Sequence, residues 1–109
     1  PPLTPQEHVH AFIISVNQHD KFVLSSLLDS EDRKVLQNRM KDMEAIQHLK
    51  RLSPLPVKLQ TNDELQIEIP IKVHIHKNET NVKTLHFTFY RETHLDRWKL
   101  NFEDILSQL

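Results

Sequence analysis

Residues 64–76 read ELQIEIPIKVHIH, and this stretch constrains the fold more than any other. Leu65, Ile67, Ile69, Ile71, Val73 and Ile75 are aliphatic, and between them stand Gln66, Glu68, Pro70, Lys72, His74 and His76. Strict period-2 alternation over this length predicts a long strand with one face buried and one face wet. Pro70 has no amide hydrogen, so the strand is expected to lie at a sheet edge or to carry a bulge there.

Upstream of the strand the period is helical. Thr4 can cap a first helix, Pro5 suits its first position, and Glu7 completes a capping box. Val9, Phe12, Ile13 and Val16 then fall on one face. Asn17, Gln18, His19 and Asp20 end that helix, and Asp20 can cap a short second one over residues 21–28. Asp29 and Ser30 announce a third helix, expected over residues 31–49 from the spacing of Leu36, Met40, Met43, Ile46 and Leu49. Pro54 and Pro56 bar its continuation.

Downstream the period is two. Short strands are expected at 57–60, 82–91 and 97–102, the last presenting Trp98, Leu100 and Phe102, with turns at 61–63, 77–81 and 93–96. Residues 103–109 read as a tail or a short closing helix. Pairing Asn78 with Val82 across the long hairpin places His74 opposite His86, Ile75 by Leu85 and Val73 by Phe87. The class is α+β: three N-terminal helices packed on a curved antiparallel sheet.

Composition narrows the chemistry. The chain has 109 residues, 38% of them hydrophobic, which fits a single domain over 1–109 with one modest core. Net charge is −1, so no nucleic-acid footprint is present at the level of the whole chain. The chain has no cysteine, which excludes disulfides, thiolate metal sites and cysteine nucleophiles, and no glycine, which excludes glycine-rich phosphate loops. Turns that need a positive φ must use Asn, Asp or His. No apolar run is long enough to span a membrane. A chain that opens on Pro1 and Pro2 fits a segment of a longer protein, membrane-anchored or secreted, with any leader or anchor upstream.

A helix reading TPQEHVHAFIISVNQHD, a short helix, a longer one, and hairpins closing on DRWKLNFEDIL resemble the nuclear transport factor two-like, cystatin-like cone. Within that superfamily the chain resembles small extracytoplasmic domains of Gram-positive lipoproteins and the N-terminal domain of resistance-type penicillin-binding proteins. It departs from their glycine-containing ending by having Leu95, Asp96 and Arg97 at the turn. The resemblance implies a non-catalytic interaction or positioning module of a cell-envelope protein, extracellular or at the cell surface. Its partner would be a protein or a neighbouring domain, with homodimerisation through the outer sheet face as one form, and no nucleic acid.

Enzymes of this superfamily place an ionisable group inside the cone. The strand positions expected inside are all apolar, and Tyr90 is in phase with the outer face, so the expectation is no catalysis and no cofactor. A helix could still contribute His8, His48 or Asp32, which keeps a small hydrolase or isomerase as one alternative. A carrier of a small apolar ligand is another; its pocket would use Phe12, Val16, Ile67, Ile71, Phe87, Phe89 and Trp98. The blander reading of Trp98 is a core anchor. The hairpin register above would converge His74, His76 and His86 into a surface site for zinc or copper, or into a cluster responsive to mild acid. The plain alternative is a histidine-rich solvated face.

Overall fold

The computed structural model describes residues 3–46, 48–51, 57–61, 63–76, 79–93 and 95–109. Helix α1 spans Pro5–Asn17 and begins in a capping box: the Thr4 hydroxyl accepts from the Glu7 amide at 3.2 Å, and the Glu7 carboxylate accepts from the Thr4 amide at 3.0 Å. It ends at His19, whose φ of 53° lies in the left-handed region. With no glycine available, a histidine takes the position that glycine usually fills. The Asp20 carboxylate then caps α2 (Lys21–Ser26), and Asp29 caps α3 (Ser30–Asn38).

The third helix is shorter than its spacing predicts. Its regular hydrogen bonding breaks at Arg39, α4 runs over Met40–Ala45, and Ile46 is already extended. His48–Arg51 then form β1, paired antiparallel to the long strand. Leu49 is buried in both readings, because a residue three beyond Ile46 on a helix and one flanked by His48 and Lys50 on a strand both fit the pattern. The open edge of the long strand decides for β1.

Strand β2 (Val57–Gln60) continues along the same edge of β3 (Glu64–His76), and β3 pairs with β4 (Glu79–Tyr90). The short β5 (Lys99–Leu100) closes the order β1–β3–β4–β5, with β2 also on β3. The expected strand over 97–102 therefore shrinks to β5, and Phe102 instead opens α5 (Phe102–Gln108), capped by the Asn101 side chain.

The β3–β4 register differs from the expected one. His74 lies opposite Thr80, and His86 lies opposite Glu68. The observed register sets Ile67 against Phe87, Leu65 against Phe89 and Ile69 against Leu85. It also recruits residues 79–81 into the ladder, where a long turn was expected. The bulge expected at Pro70 is absent too, since Pro70 pairs with Thr84 in unbroken register. The His86 main chain bonds outward, away from β3, so even-numbered residues of β4 and their partners form the non-hydrogen-bonded pairs. The Pro70 nitrogen thus points to the other edge, between the stretch of β3 taken by β1 and that taken by β2. A missing donor does no harm there. The irregularities lie elsewhere, between Val57 and Leu59 and between His74 and His76.

The helices cover the apolar face of the sheet. Phe12, Phe87, Phe89 and Phe102 are fully buried, and Phe12 meets Phe87 and Phe102 edge to face at 5.8 and 6.3 Å. These rings line the interior of the curved sheet.

Candidate functional site

The starts of α1 and α3 and the end of α2 meet the segment leading into β5, and between them lies a cleft of about 450 Å³. His8, Leu27, Asp32, Arg97, Trp98 and Lys99 are among its walls. The helix caps place the first two titratable groups. The capping box starts α1 four residues before His8, and the Asp29 cap puts Asp32 in the first turn of α3.

His8 packs edge-on against Phe89, with ring centroids 5.5 Å apart. Its Nε2 is buried without a hydrogen-bond partner. Burial holds the imidazole below the ordinary histidine range, and hydrogen bonding with the Leu27 main chain partly offsets this. Asp32 is pushed the other way. Partial burial, reinforced by the negative charges of Asp29, Glu103 and Glu31 and by a hydrogen bond with Asp29, raises its carboxyl from 3.8 to about 6. An acid that titrates near neutrality and a neutral imidazole therefore face one cleft.

The opposite wall is cationic. Arg97, Trp98 and Lys99 all line the cleft, and Arg33 of α3 adds a cation on the side of Asp32. Strand alternation separates Trp98 from its two neighbours and assigns Arg97 and Lys99 to the outer face. Residues 97 and 98 are not in the ladder, so that alternation does not govern them. This is the cationic wall that sequence reasoning missed, and its only signal was the pair of basic residues flanking the sole tryptophan. The Arg91 guanidinium lies 4.1 Å from the Trp98 ring centroid and covers one face of the indole.

The other expected site residues disperse. Phe12, Ile67, Ile71, Phe87 and Phe89 are fully buried in the filled core. Val16 borders a separate groove of about 90 Å³ with Leu24, Met40 and Met43. Trp98 alone of that set reaches the cleft. The three-histidine cluster does not form as drawn: His86 Nδ1 lies 2.8 Å from Glu68, far along β4 from His74. The side chain of His76 lies outside the described residues. Among the described residues no group of three or more His, Asp or Glu side chains is arranged to hold a metal ion.

No family model matches the chain, and no curated protein matches it. Solved structures do. One is a Streptomyces avermitilis protein described as a "putative dehydratase from the NTF2-like family", with a TM-score of 0.54 over 85% of this chain and 86% of that one, at 16% identity. The fold is NTF2-like. At that identity the likeness carries the architecture and leaves the chemistry to the cleft itself.

Proposed function

We propose that this NTF2-like domain is a binding module that takes a small organic anion in the cleft between Asp32 and Trp98. The observation that carries the reading is the composition of the walls: an acidic side with Asp29 and Asp32, a cationic side formed by Arg97 and Lys99 around the Trp98 ring, and the buried, unpartnered Nε2 of half-buried His8. A pocket of this volume suits a small molecule, and the mainly polar lining, with Leu27 and Trp98 as its apolar part, sets the ligand's orientation. The contact of Phe12 with Phe87 and Phe102 inside the cone weighs against an apolar ligand carried deeper inside. As the sole tryptophan, Trp98 reports directly on occupancy. Benzoate and phenyl phosphate are expected to change its fluorescence saturably, benzyl alcohol and benzylamine are not, and Arg97→Ala with Lys99→Ala removes the response. A non-saturable response to both anions, or an equal response to the alcohol, overturns the proposal.

A second reading is acid–base catalysis, favoured by the carboxyl of Asp32 titrating near 6 beside His8 in one cleft. The description of the Streptomyces neighbour is consistent with it. NMR titration of the Asp32 carboxyl decides whether the premise holds; a midpoint near 4 removes it. For the setting we propose an extracytoplasmic positioning or interaction module of a cell-envelope protein. The support is the resemblance of the opening helix and the closing segment to such domains. Fractionation of cells expressing the full reading frame tests it, and recovery in the cytosolic fraction alone rejects it.

A further inference from the structure

We propose that His48 and His74 form a two-imidazole binding site for a divalent transition-metal ion, zinc or copper, on the outer face of the sheet. The site exists because the third helix stops early. Had residues 46–49 remained helical, His48 would not lie on a strand beside β3. In the fold it is directly opposite His74 in the β1–β3 ladder. The Leu49 main chain bonds outward to the Asn17 amide, so His48 and His74 form a hydrogen-bonded pair with a fixed backbone on both strands.

The two rings lie side by side across the ladder. Their centroids are 6.0 Å apart and the planes are tilted by 56°. Imidazole nitrogens ligate zinc at about 2.0–2.1 Å, so two rings sharing one tetrahedral ion have centroids roughly 5 Å apart. Side-chain rotation within the rotamer wells covers that difference. His48 is exposed and His74 half-buried, so an ion reaches the pair from solvent. Two protein ligands leave the remaining positions to water or to a group from another molecule, which makes the site open rather than structural. Neutral imidazole suits zinc and copper and is a poor match for magnesium or calcium. Lys50 and Lys72 face each other two residues along the same ladder, on the same face, and weaken the attraction for a cation. That neighbourhood supplies an independent check.

Calorimetric titration of tag-free protein with zinc chloride and copper chloride is expected to show one site, with magnesium chloride silent. Alanine at either His48 or His74 should weaken binding by about tenfold or more, because the chelate is lost. His86→Ala should leave it unchanged, and Lys72→Glu should tighten it several-fold. These are surface positions, and circular dichroism confirms that each variant is folded. Isotherms for His48→Ala and His74→Ala that match the unmodified chain overturn the proposal, as does binding lost equally in His86→Ala.

Discussion

Asp32 works against the fold at neutral pH. Its carboxyl titrates at about 6 in the folded chain and near the ordinary 3.8 once unfolded. The folded chain therefore holds more protons between those values, and stability falls as pH rises across that window. Asp32→Asn is expected to stabilise the domain by about 1 kcal/mol near pH 8, after discounting for the group's partial exposure, and to be neutral near pH 4. Urea midpoints at the two pH values check it. His8 has the opposite sign. The unfolded chain protonates first, so stability is lost as pH falls through the ordinary histidine range towards the lower value of the half-buried ring. Both groups border the same cleft, and destabilised groups gathered at one opening are common where a fold gives up stability for function. His19 is a local strain of another kind. At φ 53° it accepts a conformation that glycine adopts without steric penalty, and His19→Gly should raise stability by about 0.5 kcal/mol. Thermal denaturation at constant pH reads that gain.

Two side-chain amides act as surrogate peptide groups at opposite edges of the sheet. Asn17 bonds the Leu49 carbonyl at 2.9 Å and the Leu49 amide at 2.7 Å. Gln108 bonds the His86 amide at 2.7 Å and the His86 carbonyl at 2.9 Å. Each pins a helix end to a strand and satisfies main-chain groups that would otherwise offer a template to another strand. Asn17→Ala and Gln108→Ala should each cost about 1–2 kcal/mol, and the costs should add because the sites share no partners. Hydrogen exchange sharpens the test: protection should fall at Leu49 in the first variant and at His86 in the second, without crossing over. The first of these pins also holds β1 against β3, so Asn17→Ala should weaken metal binding at His48 and His74 even though Asn17 is not a ligand.

The molecule as a whole is one aromatic core under a curved sheet. Phe12 from α1 touches rings from β4 and from α5. Removing it opens a cavity that rigid neighbours cannot collapse, and Phe12→Ala should cost about 3–5 kcal/mol, a large share of the stability of a domain this size. Chemical denaturation measures it. Among the described residues no helix is long and apolar enough to cross a membrane.

The sequence by itself determined the class of elements and most of the core. Alternation marked β3, the capping residues Thr4, Asp20 and Asp29 marked three helix starts, and the absence of glycine left Asn, Asp or His for any positive φ, a position that His19 takes. These signals are local, so they survive without knowledge of neighbours. Tertiary structure decided the rest. Whether His48 and Leu49 end in helix or strand depended on the open edge of β3. The hairpin register depended on which aromatic rings could be buried together. The cleft was half legible: His8 and Asp32 stood out as helix-borne titratable groups, but nothing local showed that the two would share a cavity. Arg97 joined them because residues 97 and 98 stand outside the ladder ahead of β5, and Lys99 followed at the first position of that short strand. Registers and clefts are set by long-range packing, and a period of two fixes which face a side chain takes without fixing what lies across from it.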